Sequence, residues 1–179
     1  ILAADHVVLP GVGAIRDCMS EIQRQEIDQV VAEVAKTKPL LGICVGLQAM
    51  MTRSEENGGI DCMNMFSGQV RYFGDNLLGD ALKDGTSERL KVPHMGWNDL
   101  IIDHPHPVLE GINTGDHTYF VHSYHMVMDG SAERLAHVEY GTDVTAIVGR
   151  DTMLGMQFHP EKSQDTGLRM IANFLNWRP

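Results

Sequence analysis

Residues 39 to 51 leave this chain little choice of fold. Pro39-Leu40-Leu41-Gly42-Ile43 is a continuous apolar run of strand length that passes directly into Cys44-Val45-Gly46 and a helical pattern ending near Met51. Such a run suits a parallel strand buried on both faces, which needs helices on each side to cover it. Gly42 and Gly46 bracket Cys44 in a Gly-x-Cys-x-Gly pattern. Small residues at those places allow a sharp strand-to-helix turn that lifts the central side chain off the sheet. Upstream, His6 to Leu9 reads as a second strand closed by the turn Pro10-Gly11-Val12-Gly13. Ala14 to Lys36 reads as one helix, because Ile15, Met19, Ile22, Ile27, Val30, Val31 and Val34 recur at steps of three, four or five. Alternation of strands with helices predicts the α/β class: an open, mostly parallel central sheet flanked by helices.

The later part of the chain adds some antiparallel strands. Glu55 to Gly59 is turn-like, Gln69 to Phe73 reads as a strand, and Gly74 to Glu88 reads mostly as loop. Tyr119 to Tyr124, Val144 to Val148 and Met153 to Phe158 follow as strands, the last two joined by a hairpin at Gly149 to Thr152. A closing helix, capped by Ser163 or Asp165, is expected to bury Leu168, Ile171, Ala172 and Leu175 against the sheet. A length of 179 residues without repeats or linkers suits one domain.

Composition excludes several classes of function. With 24 acidic and 14 basic side chains the formal net charge is −10, which repels a nucleic-acid backbone. Apolar stretches fall far short of the roughly 20 residues that cross a bilayer as a helix. Three cysteines without a C-x-x-C pair suit reduced thiols, and the chain reads as a soluble, cytoplasmic protein. It opens on Ile1, almost directly into a strand, so it is expected to begin inside a longer protein.

Cys44 is the nucleophile candidate, and the helix behind it is expected to favour its thiolate. Chance placement of 3 Cys among 18 Gly predicts only about 0.03 such patterns, so the bland alternative of a buried structural cysteine carries less weight. A thiolate needs a proton partner, and His159 supplies one at the end of the last strand. Residues two apart in extended chain share a side, so Glu161 can hold the outer nitrogen of the imidazole. Glycines in Pro10-Gly11-Val12-Gly13 suit an oxyanion turn, with Val12 and Gly13 on one side and the Val45 N–H as second donor. The remaining histidines, including His104, His106, His122 and His125, have no metal-site spacing, and no metal is expected.

Cys44, His159 and Glu161 together resemble the class I, triad-type glutamine amidotransferases. Five ordered blocks spanning the chain resemble the branch that serves as the glutaminase subunit of imidazole glycerol phosphate synthase. These are Leu9 to Ala14, Gly42 to Gln48, Val92 to Asn98, Tyr119 to Tyr124 and Gly155 to Ser163. The resemblance implies that Cys44 attacks the side-chain amide of glutamine, that ammonia leaves with a proton from His159, and that water hydrolyses the thioester. It implies no cofactor. It also implies that Gln48, Ser123 and Tyr124 hold glutamine, with Gly11 and Glu55 beside them. By the same resemblance Met95, Trp97, Asn98, Tyr119 and Lys162 face a (β/α)8-barrel cyclase that consumes the ammonia. The oxyanion peptide within Gly11 to Gly13 would reorient when that partner binds its ligand, leaving the isolated chain quiet. Relatives carry a strand, a helix and a strand before the Leu-Pro-Gly block, so 1–179 is expected to be a single domain lacking that segment. Two other readings stay open: the glutaminase unit of anthranilate, GMP or carbamoyl phosphate synthesis, and a catalytically inert interaction module.

Overall fold

A computed structural model of the chain describes residues 1–81 and 87–179. Strand β1 (Val7–Gly11) leads to helices α1 (Ile15–Arg24) and α2 (Ile27–Val34), and β2 (Leu40–Cys44) runs into α3 (Val45–Met50). Short strands β3 (Arg53–Ser54) and β4 (Ile60–Asp61) precede β5 (Gly68–Tyr72), β6 (Leu78–Ala81) and β7 (Ser87–Arg89). Then come β8 (His94–Asp99), β9 (Ile101–Ile102), β10 (His117–His122) and β11 (Tyr124–Met128). Strands β12 (Arg134–Glu139), β13 (Asp143–Arg150) and β14 (Met153–Met156) lead to the closing helix α4 (Gln164–Asn176).

The main sheet has the order β1-β2-β14-β13-β12-β9. Strand β2 is parallel to both of its neighbours, whereas β14, β13, β12 and β9 pair antiparallel to one another. The α/β class and the antiparallel C-terminal half are therefore as the sequence implies, but the sheet is mixed instead of mostly parallel, since two of its five strand pairings are parallel and three antiparallel. As expected of a strand covered on both faces, Leu40 and Leu41 are fully buried, and each such side chain contributes about 1.5–3 kcal/mol. Parallel pairing also places the site. Gly11 lies opposite Cys44 and Met156 opposite Ile43, so the segments that follow β1, β2 and β14 leave the sheet at one edge. Ligands of open α/β sheets bind beyond that carboxyl edge.

Several local expectations are corrected. The helix over Ala14 to Lys36 is two helices, because the five-residue step from Ile22 to Ile27 cannot continue one stripe, and Glu26 takes φ 56° to reset it. Strand β1 continues through Pro10 and Gly11 instead of ending before them, since an edge strand tolerates proline. Tyr119 to Tyr124 is not one strand: the chain changes sheets at Ser123, with β10 pairing β8 and β11 pairing β5. Gly74 to Glu88 carries β6 and part of β7, and residues 82–86 lie outside the described part. The hairpin between β13 and β14 is present, with Arg150 opposite Met153.

Helix α4 turns a different face inward from the one expected. Gly167, Met170 and Phe174 are buried, whereas Leu168 and Leu175 are more than half exposed. The cause is the close seat of Gly167, where an added Cβ would lie 2.7 Å from the Pro160 carbonyl carbon; that contact sets the rotation of the helix. Ser163 occupies the N-cap position without capping. Its hydroxyl instead donates to the His159 carbonyl at 2.7 Å and accepts from the Tyr119 N–H at 3.0 Å. Among the described residues no helix is long and apolar enough to cross a membrane.

Candidate active site

Cys44 ends β2 with φ 52° and ψ −115°, a conformation that side-chain-bearing residues rarely adopt and that costs on the order of 1–3 kcal/mol. The surrounding glycines make it possible by packing. An added Cβ at Gly46 would penetrate the Leu9 carbonyl oxygen, one at Gly42 would come to 2.9 Å of the Leu47 Cα, and one at Gly11 to 2.7 Å of the Val45 carbonyl carbon. Helix α3 thus rests backbone-to-backbone on β1 and β2, and Cys44 is held at the junction. Gly46→Ala is expected to lower stability by about 1–3 kcal/mol through this overpacking, read as a lower denaturant midpoint at unchanged slope.

His159 follows β14 and is 7% exposed. Its Nδ1–H donates to Glu161 Oε1 at 2.8 Å, so Nε2 is left as the basic nitrogen. Strand β10 fixes the segment: the His159 N–H donates to the Tyr119 carbonyl at 3.0 Å, and Ser163 ties the next turn to the same strand. Cys44 and His159 line one cavity of about 360 Å³, with Val12, Gly13, Val45, Gln48, Ser123 and Tyr124. The nucleophile, base and oxyanion candidates are therefore brought together, as are three of the five glutamine-contact candidates.

Burial overrides the expected helix effect on Cys44. Desolvation, reinforced by the nearby Glu161 charge and opposed by the Val45 backbone, pushes its thiol up to about 11. At neutral pH Cys44 is therefore a thiol, and to act as a nucleophile it would need a proton acceptor such as His159, which lines the same cavity.

Two candidates lie elsewhere. Gly11 packs on α3, where an added Cβ would lie 2.7 Å from the Val45 carbonyl carbon, and does not line the cavity. The Glu55 carboxylate accepts from the Tyr72 N–H on β5, while its neighbour Glu56 lines the cavity and accepts from the Ile15 N–H at 3.2 Å. Adjacent acids in a turn point in different directions, and only the fold decides which one reaches the pocket. Gln157 was missed. It is fully buried, its Nε2 lies 3.8 Å from Cys44 Sγ, and its Oε1 accepts from Gln48 Nε2 at 3.0 Å. Gln157 follows directly on Met156, the last residue of β14, and that place at the carboxyl edge of the sheet is the signal that could have found it.

The partner-face candidates divide. Met95 is 62% and Trp97 47% exposed on β8, and Trp97 meets Tyr119 edge-on with ring centroids 5.7 Å apart; Lys162 is exposed nearby in sequence to His159. Asn98 turns inward, its amide donating to the Glu139 carbonyl at 3.0 Å.

Comparison with known proteins accords with this geometry. The family described as Glutamine amidotransferase class-I matches residues 3–177. The imidazole glycerol phosphate synthase subunit HisH of Cereibacter sphaeroides is 51% identical over all of this chain and 81% of its own length. Subunit HisH 1 of Pseudomonas aeruginosa is 47% identical over 99% of this chain and 80% of its own. Among solved structures, a putative GMP synthase component of Thermoplasma acidophilum superposes with a TM-score of 0.66 at 18% identity, covering 97% of this chain and 72% of that one. A glutamine amidotransferase of Thermotoga maritima gives 0.58 at 19% identity, covering 96% and 61%. At such identities these two show the shared fold.

Proposed function

The chain belongs to the class I glutamine amidotransferases, and from that membership we infer that it is the glutaminase subunit of an imidazole glycerol phosphate synthase, which supplies ammonia for histidine biosynthesis. The observation that carries the reading is a buried cysteine on a strained elbow sharing one cavity with an imidazole whose far nitrogen is held by a carboxylate. The inert-module reading leaves that convergence without a purpose.

The chemistry follows from the protonation states. With Nδ1–H committed to Glu161, His159 Nε2 takes the Cys44 proton as sulfur attacks the side-chain amide carbon of L-glutamine. The carbonyl electron pair moves onto oxygen, where the Val45 N–H and the peptide N–H groups at Val12 and Gly13 are the donors at hand. Collapse expels ammonia carrying the proton from His159 and leaves a glutamyl thioester. Water then gives a proton to His159, its oxygen displaces Cys44 sulfur, and glutamate leaves. Gln48, Ser123 and Tyr124 border the space for the substrate's α-amino and carboxylate end. Neither metal nor cofactor enters these steps.

The ammonia acceptor is a (β/α)8-barrel cyclase subunit docked as a heterodimer partner on the face carrying Met95, Trp97, Tyr119 and Lys162. An exposed Trp and Met beside an aromatic neighbour have the composition of an interface hot spot. The inference is tested by glutamate release from glutamine, measured for the chain alone and with the cyclase plus its nucleotide ligand. Glutamate release is expected to rise when the loaded cyclase is present. Stimulation by an anthranilate, GMP or carbamoyl phosphate synthase subunit instead would overturn it.

A further inference from the structure

Behind the cavity lies a polar chain that the mechanism above does not use. His94 on β8 and His122 on β10 are 2% and 6% exposed, and His94 Nδ1 lies 3.1 Å from His122 Nε2. His122 Nδ1 lies 2.8 Å from the Tyr124 carbonyl. That carbonyl also accepts from Gln48 Nε2 at 3.1 Å, and Gln48 Nε2 reaches Gln157 Oε1 at 3.0 Å. At the other end, Asn98 Nδ2 lies 3.3 Å from His94 Nε2.

Donor and acceptor bookkeeping leaves one assignment. A backbone carbonyl only accepts, so His122 must carry its proton on Nδ1 and present a bare Nε2. His94 must then donate from Nδ1 and accept at Nε2, where the Asn98 amide donates. Both hydrogens of the Gln48 amide are spent on Tyr124 and Gln157, which leaves its carbonyl oxygen as the group free to meet a ligand in the cavity. Packing holds the chain in place. The His94 ring is stacked between Tyr140 at 3.9 Å and Phe120 at 4.7 Å, so it cannot swing to another partner. Burial lowers His94 to about 4 and His122 to about 3, the latter aided by the nearby His94, His125 and His159, so both stay neutral at physiological pH.

We propose that His94 and His122 are positioning residues, a pair of neutral Nδ1–H imidazoles that orient Gln48 for glutamine through the Tyr124 carbonyl. The relay touches the cavity only at its inner end, where His122 and Gln48 line it. Its outer residues, His94 and Asn98, alternate along β8 with Met95 and Trp97, which project from the opposite face of the strand. The strand that presents the docking side chains outward thus carries the relay inward.

The kinetic readout rests on the glutaminase reading, so a second readout is independent of it. In the complex with the cyclase, His94→Phe keeps the stacked ring but removes the donor, whereas His94→Asn loses the ring and keeps a donor near the Nδ1 position. His94→Phe is expected to raise KM for glutamine roughly tenfold with kcat changed less than about threefold, and His94→Asn to recover most of that loss. A purely packing role predicts the reverse order of the two variants, and that order, or an unchanged KM in His94→Phe, would overturn the proposal. Independently, 15N-histidine NMR of the full chain should show both rings as Nδ1–H tautomers that do not titrate between pH 5 and 8. An Nε2–H tautomer for either ring, or titration above pH 6, would overturn it whether or not the wild-type complex hydrolyses glutamine. Should that complex be inactive while both rings hold the Nδ1–H form, the glutaminase reading fails and takes with it the role of the relay toward glutamine, while the tautomer assignment stands; an active complex in which His94→Phe leaves KM unchanged overturns the relay alone.

Discussion

Replacing Cys44 with alanine is expected to bring glutamate release by the stimulated complex down by roughly 10⁵- to 10⁶-fold, the scale on which removal of a covalent nucleophile acts elsewhere. Among the described residues that line the cavity, Cys44 is the one thiol and the one non-glycine residue with positive φ. The fold should survive, because alanine keeps the Cβ and removes a single buried sulfur. Glutamate release assayed beside circular dichroism checks both halves. Residual activity above about 1% in a properly folded variant would move the nucleophile elsewhere. Adding His159→Ala to Cys44→Ala should cost little more, since the two residues act as one unit.

His159→Ala is expected to cost about four orders of magnitude at pH 7, and the missing activity should return as pH rises. With Cys44 pushed up to about 11, only ~10⁻⁴ of it is thiolate at pH 7, and that fraction grows tenfold with each pH unit. In the native site His159 removes this handicap by taking the proton during attack. Without it, the rate should climb with a slope near one in log units up to the highest pH the fold tolerates, and recovery stays partial because His159 also protonates the leaving ammonia. A pH–rate profile of the variant decides the matter. A flat profile, or a loss under tenfold at neutral pH, would mean that the thiol is already ionised.

That reversal marks the boundary between local and tertiary information. The reactive groups were legible because each rests on short-range covalent spacing. Gly42, Cys44 and Gly46 define an elbow within five residues, and the two-residue spacing gives the His159–Glu161 pair, although the chain makes that contact through a 3-10 turn over Pro160–Lys162 and not in the extended form expected. The protonation state of Cys44 was not legible. It depends on how much water the assembled cavity excludes, and desolvation there exceeds what the six-residue α3 contributes. Glu55 and Glu56 illustrate the same limit, since composition and turn chemistry treat them alike while β5 takes one and the cavity the other.

Among the elements, the two-sided burial of β2, the paired run of β13 and β14, and the α/β class were open to reading, because apolar runs and turn residues act on their own neighbours. The change of sheet at Ser123 was not, because it is set by a partner distant in sequence, β5, which β11 finds. The break at Glu26 lay in the five-residue step from Ile22 to Ile27, and the inward face of α4 in the seat of Gly167 on Pro160 seven residues earlier, neither of which an apolar stripe by itself reveals. The amino-acid sequence by itself therefore determined which residues are candidates for the chemistry and which strands lead to them, through periodicity and covalent spacing. Only the tertiary structure decided their ionisation, the neighbour that reaches the cavity and the relay behind Gln48, because desolvation and long-range hydrogen bonding exist only once the chain has closed around the site.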